Sequence, residues 1–322
     1  MLGVYIFLGI LFADAIITFA FAYMIFHRVS VRKKPRKQDI HSLFTQNKID
    51  IVGEQNMKLA LEWAENKKSG SVCIKSHDGL RLHCSLINAP DSVEPKGVVI
   101  VFHGYRSFGM RDFCLQLPIL HEAGYHIMLV DQRSHAQSEG KYICYGTKEC
   151  NDALLWRKKA TEIYGETLPI ALFGLSMGGA TVLMASGLIE KDDPQVRCVI
   201  ADCPFYDTYG IIKHVLWNYN KIYPQPIIHF VNFWSRFLAD FNMHAPSCAE
   251  RAKASHLPIL ILHGKEDKFV PTECSIRLAK ELGEQAKLVL FDKARHAEAI
   301  YYDRELYKKE LLAFLEKYMY RK

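Results

Sequence analysis

Short runs of apolar residues recur along this chain of 322 residues, and they constrain its fold more than any other feature. They contain few polar residues, as is typical of strands covered on both faces of a parallel sheet. The segments between them carry apolar residues at helical spacing. This alternation predicts an α/β fold with a mostly parallel sheet and helices on both faces. The predicted strands are residues 98–102, 127–130, 170–173, 198–201, 259–262 and 287–291, and the clearest helices are residues 152–164, 180–188, 273–282 and 305–318.

Two more strand-like runs, residues 72–76 and 80–88, precede this series. They flank the turn sequence His77-Asp78-Gly79, so they predict a hairpin. Residues 38–70 are mixed and polar apart from an amphipathic stretch near 57–63, and we interpret them as a linker with a short helix. The domain that carries the sheet is therefore expected to span residues 71–322.

The first 26 residues are apolar apart from Asp14. A helix of this length crosses the ~30 Å hydrocarbon core of a bilayer. Apolar residues lie all around it and a basic run follows it, which argues against a buried core helix. We expect a transmembrane anchor over residues 1–27, and a polybasic juxtamembrane segment with a linker over residues 28–70.

A cleaved signal peptide is the main alternative, because Ala20-Phe21-Ala22 resembles a cleavage site. Signal peptides carry basic residues before the apolar stretch, whereas here Lys and Arg only follow it. By the positive-inside rule, this arrangement predicts an outside N-terminus and a cytoplasmic C-terminal domain. The basic run is also expected to attract anionic lipid headgroups.

The net charge of +6 has a local origin, since six basic residues lie within residues 28–37. Without them, 35 basic residues (41 − 6) face 35 acidic ones, so the charge gives no support for nucleic-acid binding. The nine cysteines are scattered and form no C-x-x-C pair, so neither zinc nor another metal is expected. Reduced thiols in a reducing compartment are the simpler interpretation.

One long insertion interrupts the alternation, between the strands at residues 198–201 and 259–262. Eleven of the 39 residues from 205 to 243 are aromatic. A connection of this length is usually functional. We interpret residues 205–245 as a helical cap over the C-terminal edge of the sheet, and we expect some of its aromatic side chains to line a binding pocket.

The motif Gly174-Leu175-Ser176-Met177-Gly178 follows one predicted strand and precedes a predicted helix. A serine on so sharp a strand-to-helix turn has a strained backbone, and its neighbours must be small. Such a turn presents a serine hydroxyl as a nucleophile, which in turn needs a base. Ser176 is therefore the candidate nucleophile.

His296 follows the last predicted strand, so it lies at the same edge of the sheet as Ser176. Asp267 follows the preceding strand, which gives the chain order Ser, Asp, His. His296 is the candidate base, and Asp267 is the acid that would orient it. Glu266 is the competing candidate for the acid.

Acyl transfer also needs hydrogen-bond donors for the developing oxyanion. The backbone N–H of Met177, directly after the nucleophile, is the first candidate donor. The backbone N–H of Tyr105 is the second, since it follows the strand at residues 98–102 and Gly104 allows close approach. His103 is expected to have a structural role in that loop.

Taken together, these motifs resemble those of the α/β-hydrolase superfamily, over residues 70–320. The branch that the chain resembles is that of bacterial serine aminopeptidase-like and monoacylglycerol-lipase-like hydrolases. The sequence departs from that pattern at Ser134-His135-Ala136, where the family usually has Gly-His-Gly. The motifs that carry the resemblance are His103-Gly104, the stretch from Asp131 to Ser138, the turn at Ser176, His263-Gly264 with Asp267, and His296.

The resemblance and the triad together predict a serine hydrolase that cleaves carboxylic esters and uses no cofactor. The expected substrates are uncharged, short-to-medium acyl or lipid-like esters, because the cap has few charged residues. A peptidase or amidase with the same triad is one alternative. A non-catalytic, membrane-tethered binding module is another, since fold alone does not fix function. The sequence does not indicate an oligomeric state.

Overall fold

Eight strands form one sheet, in the order β1-β2-β4-β3-β5-β6-β7-β8. The structure is a computed structural model that describes residues 1–33 and 51–320, without the side chains of residues 51–57. Part of the predicted linker and the basic residues Lys34, Arg36 and Lys37 therefore lie outside the described residues. The strands are β1 (Gly70–Lys75), β2 (Arg81–Ile87), β3 (Gly97–Phe102), β4 (Tyr125–Asp131), β5 (Ile170–Leu175), β6 (Val196–Asp202), β7 (Ile259–Gly264) and β8 (Ala286–Phe291).

Strands β3 to β8 pair in parallel, and β1 and β2 join them in antiparallel pairs. The β1–β2 hairpin turns at Gly79, whose φ of +90° suits a residue without a side chain. All eight predicted strands are present, so the prediction of a mostly parallel sheet is confirmed. The parallel strands end at one edge, and the loops that leave this edge carry the predicted site residues.

Helices cover both faces of the sheet. Along β3, Val98, Ile100 and Phe102 belong to one buried cluster, whereas Val99 and Val101 belong to the other. Because neighbouring strand residues point to opposite faces, each face has its own hydrophobic core. The helices are α1 (Leu2–Ser30), α2 (Ile51–Lys67), α3 (Gly109–Phe113), α4 (Gln116–Glu122), α5 (Glu149–Tyr164), α6 (Met177–Ser186), α7 (Thr208–Asn218), α8 (Ile227–Ala239), α9 (Cys248–Lys253), α10 (Glu273–Leu282), α11 (Ala299–Tyr302) and α12 (Arg304–Tyr318).

The insertion between β6 and β7 contains α7, α8 and α9. The first two form the cap that the sequence predicts. Helix α7 begins at its cap residue Asp207, whose carboxylate accepts a hydrogen bond from the backbone N–H of Gly210 at 2.6 Å. The insertion leaves the C-terminal end of β6, so it begins at the edge of the sheet where the predicted site residues lie.

Helix α1 is long and apolar enough to cross a membrane. Its two halves differ, because residues 2–17 are exposed whereas Ala22, Ile25 and Phe26 are buried in the hydrophobic core. These three buried positions lie on one helical face, which packs against the domain. The ring of Phe19 lies 4.7 Å from that of Trp234 in α8, and the Trp234 indole N–H donates to the Phe19 carbonyl at 3.2 Å.

Candidate active site

Ser176 lies between β5 and α6 on a strained turn, with φ +55° and ψ −113°. An L-residue rarely adopts such a positive φ, so the surrounding packing must hold it. A side chain at Gly174 would meet the Gly178 carbonyl oxygen at 2.0 Å, and one at Gly178 would meet the Phe102 carbonyl oxygen at 1.8 Å. The two glycines are therefore required for the turn to sit this close to β3.

The structure brings Ser176, His296 and Asp267 into one hydrogen-bonded chain. His296 Nε2 lies 3.0 Å from the Ser176 hydroxyl oxygen, and His296 Nδ1 lies 2.7 Å from Asp267 Oδ2. Asp267 is buried, whereas the His296 side chain is partly exposed. Glu266, the competing acid, is exposed.

Several donors surround the Asp267 carboxylate. Its Oδ1 accepts hydrogen bonds from the backbone N–H groups of Phe269 and Val270, each at 2.9 Å. Its Oδ2 also lies 3.2 Å from His263 Nε2. Burial alone would raise the pKa of Asp267, but the charges and hydrogen bonds of His296 and His263 outweigh it and hold that pKa well below its usual range. An ionised Asp267 can therefore orient and stabilise a protonated imidazole.

The loop after β3 comes close to the nucleophile. A side chain at Gly104 would lie 3.5 Å from the Ser176 Cβ, and the Gly104 N–H donates to Asp112 Oδ2 at 2.7 Å, which ties the loop to α3. Within residues 1–33 and 51–320, the backbone N–H groups of Tyr105 and Met177 donate no hydrogen bond. Both predicted donors are thus available beside the serine.

The loops after β3 and β4 support each other. The Gln132 N–H donates to His103 Nε2 at 3.1 Å, and the Gln132 side-chain amide donates to the His103 carbonyl at 2.5 Å. This agrees with a structural role for His103. Ser134 and Ala136, which stand where the family usually has glycine, have φ values of 64° and 39°. The loop therefore keeps a left-handed backbone that glycine would adopt at lower cost.

A cavity of about 560 Å³, part of it open to solvent, adjoins Ser176. Its walls are almost entirely apolar, but fewer of the cap aromatics line it than the sequence led us to expect. Phe205 is the one of the eleven that does so, and the cap contributes mainly aliphatic side chains because the aromatics of α8 face α1 instead. The lining residues are Val29, Tyr105, Tyr145, Ser176, Met177, Phe205, Ile211, Ile212, Val215, Leu216, Phe269 and Val270.

Two further side chains at this edge carry no recognisable motif. Asp202, at the end of β6, is buried, and its carboxylate accepts a hydrogen bond from the Tyr307 hydroxyl at 2.7 Å. Burial raises the pKa of Asp202 to about 6. The neighbouring Cys203 thiol lies near Asp267 and His296, and ligand atoms of these three residues lie within 4.8 Å of one another. Because Asp267 and His296 already bond to each other and to Ser176, this cluster is part of the triad region.

Comparison with known proteins places this geometry in context. The protein YqkD of Bacillus subtilis is 23% identical over 296 residues, which cover 90% of each chain. The lysophosphatidylserine lipase ABHD12 of Danio rerio is 27% identical over 197 residues, 59% of this chain and 48% of that protein. An esterase of Pyrococcus furiosus superposes with a TM-score of 0.62 at 22% identity, over 77% of this chain and 91% of that one. This likeness shows a shared fold.

The family described as serine aminopeptidase, S33, matches residues 93–229 and 225–300. The two segments together cover more than half of the chain and contain Ser176, Asp267 and His296. The sheet order, the cap insertion and the sharp turn at Ser176 agree with that match. The chain belongs to the serine aminopeptidase S33 family and has the α/β-hydrolase fold.

Proposed function

We propose that this protein is a serine hydrolase that cleaves carboxylic esters through an acyl-enzyme. One observation carries the proposal: a hydrogen-bonded Ser176–His296–Asp267 chain opens onto an apolar cavity. The His296 Nδ1–H donates to Asp267, which leaves Nε2 without a proton and able to accept one from Ser176. The family match and the esterase fold support hydrolysis as the reaction type.

In the first half-reaction, His296 Nε2 removes the Ser176 hydroxyl proton while the serine oxygen attacks the ester carbonyl carbon. The carbonyl oxygen becomes an oxyanion, which the backbone N–H groups of Tyr105 and Met177 stabilise. As the intermediate collapses, the bond to the alcohol oxygen breaks. His296 then gives its proton to the departing alkoxide, and the acyl group stays on Ser176.

In the second half-reaction, water attacks the acyl carbon as His296 takes one of its protons. The ester bond to the serine oxygen breaks, His296 returns the proton to Ser176, and the carboxylic acid leaves. Asp267 stays ionised throughout and stabilises the imidazolium that forms twice per turnover.

The cavity walls favour an uncharged acyl chain. Each methylene buried there contributes up to ~0.8 kcal/mol, or roughly fourfold in kcat/KM if the gain is realised in the transition state. The lining residues include no Asp or Glu that could bind a free amino terminus, which supports esters over peptides. The relative named as a lysophosphatidylserine lipase also supports lipid-like esters.

We propose a membrane anchor over residues 1–27, a juxtamembrane segment and linker over 28–70, and a cytoplasmic hydrolase domain over 71–322 with its cap near 205–245. Cleavage after Ala22 would remove Phe19 from its contact with Trp234 and would separate Ala22 from the core. That packing supports a retained helix over a signal peptide. The protein should accordingly stay with membranes in high salt, whereas a processed, soluble form that begins near Tyr23 would contradict the anchor.

A fluorophosphonate probe and a substrate panel test the catalytic proposal. The full-length chain should react with the probe, because that reagent needs an activated serine. The panel sets p-nitrophenyl esters against aminoacyl p-nitroanilides of matched size. We expect higher kcat/KM on the esters, whereas faster anilide cleavage would identify an amidase and absence of labelling would indicate a non-catalytic module.

A further inference from the structure

We propose that the last turn of α1 is a wall of the acyl pocket, and that Val29 sets the acyl-chain length the pocket accepts. The anchor helix is then part of the active site as well as a tether. This inference rests on the proposed esterase function. The observation behind it is that Val29, from the N-terminal helix, and Ser176, from the nucleophile turn, line the same cavity.

The pocket has three sides of different origin. Ser176 and Met177 supply the catalytic side, and Ile212 and Leu216 of α7 supply the cap side. Val29 closes the cavity on the anchor side. Its side chain is half-buried and its backbone belongs to the helix that the core holds through Ala22 and Phe26, so this wall has a fixed position.

Two tyrosines attach this wall to the catalytic domain. The hydroxyl groups of Tyr105 and Tyr145 both donate to the Val29 carbonyl, at 2.6 and 2.9 Å. Their rings are stacked, with centroids 5.6 Å apart, and both line the pocket. The backbone N–H of Tyr105 is also a proposed oxyanion donor, so one residue both holds the anchor helix and faces the reacting carbonyl in the proposed mechanism.

The domain also satisfies the other carbonyls at the end of α1, which a helix leaves without partners of its own. The Arg106 guanidinium donates to the Arg28 carbonyl at 2.5 Å and to the Val31 carbonyl at 3.3 Å. The Ile143 N–H donates to the Ser30 carbonyl at 2.7 Å. A helix that served only as a tether would need none of these contacts.

Just beyond the helix, Arg32 reaches into the loop after β4. Its guanidinium donates to the carbonyls of Ala136 and Ser138, at 2.6 and 2.5 Å. Left-handed non-glycine residues cluster in the loops that hold the helix end, and surrounding contacts must maintain such backbones. These residues are Arg106, Ser134, Ala136 and Tyr145.

The test makes the side chain at position 29 both smaller and larger. Val29→Ala and Val29→Phe are made in the full-length chain in detergent, and kcat/KM is measured on p-nitrophenyl esters from acetate to decanoate. The matched controls are Val4→Ala and Val4→Phe, because Val4 is 61% exposed on the same helix. The readout is the chain length at which kcat/KM is highest.

We expect Val29→Ala to move the preferred chain toward longer esters by about two carbons. Val29→Phe should move it toward shorter ones and lower kcat/KM on the longest esters roughly fourfold for each methylene excluded. The acetate ester should change less than about twofold in both variants, since it does not reach the wall. Both Val4 variants should keep the wild-type profile.

Loss of folded protein cannot imitate this result, because it would scale every ester equally and could not shift the optimum in opposite directions. If Val29→Phe fails to fold, Val29→Ala alone tests the proposal, through the expected shift of the optimum toward longer esters. A profile that keeps the wild-type optimum in the Val29 variants would overturn the proposal for the wall. Absence of wild-type activity on every ester would instead refute the proposed esterase function.

Discussion

The proposed catalytic side and the proposed selective side of the cavity are built in different ways. Around Ser176, short polar contacts and glycines without room for a side chain hold each atom in place. Across the cavity, Val29 and the α7 residues present apolar side chains with no hydrogen bonds of their own. The glycines leave almost no room for a change in shape on one side, whereas we expect the other side to accept changes in volume. We therefore expect that the rate of the chemical step and the selectivity for acyl-chain length can be altered separately.

The largest effect should follow from removing the nucleophile. Ser176→Ala should lower kcat by about 10⁶ and abolish labelling by a fluorophosphonate probe, because the remaining donors cannot supply a nucleophile. Thermal unfolding should stay close to wild type. Ser186→Ala, at the end of the helix that follows Ser176, is the matched control, since its hydroxyl donates to the Leu183 carbonyl within that helix. Labelling that persisted in Ser176→Ala would reassign the nucleophile.

The next largest effect concerns the acid. Asp267→Asn should cost on the order of 10⁴ in kcat, because an amide favours the wrong histidine tautomer. Glu266→Gln should cost little, since Glu266 is exposed beside the loop. Steady-state rates on one ester suffice to compare the two variants. The reverse ranking would make Glu266 the acid.

The smallest effect should come from the cap. Leu216→Ala should lower kcat/KM on octanoate esters about tenfold through lost contact with the chain, and change acetate esters less than about twofold. Trp217→Ala is the matched control, because Trp217 directly follows Leu216 and is 52% exposed. Equal losses on both esters would show that the cap acts on the chemistry, which would remove the distinction between the two sides.

The convergence of Ser176, Asp267 and His296 could be predicted from the sequence for a physical reason. Parallel strands must all end at one edge, so residues directly after β5, β7 and β8 meet even though Ser176 and His296 are far apart in the chain. The turn at Ser176 also has a local steric requirement that glycine satisfies, and local requirements leave a visible motif.

The anchor side could not be predicted in the same way. A helix that is apolar all around does not reveal which of its faces is docked, so the role of Val29 has no local signal. The tyrosines that hold it lie 76 and 116 residues away. The same limit explains why few cap aromatics line the cavity. Trp234 packs against α1, and composition alone cannot distinguish an aromatic side chain in such a helix contact from one that lines a pocket.

With the proposed membrane anchor, the division of α1 into two halves would also determine where the enzyme meets its substrate. Its exposed part, residues 2–17, is 16 residues or about 24 Å long, which is shorter than the ~30 Å hydrocarbon core. Crossing the core would therefore also engage the docked half of α1, so the domain would rest directly against the lipid surface. Esters would then arrive by lateral diffusion in two dimensions, and the rate would follow their mole fraction in the bilayer rather than their concentration in water.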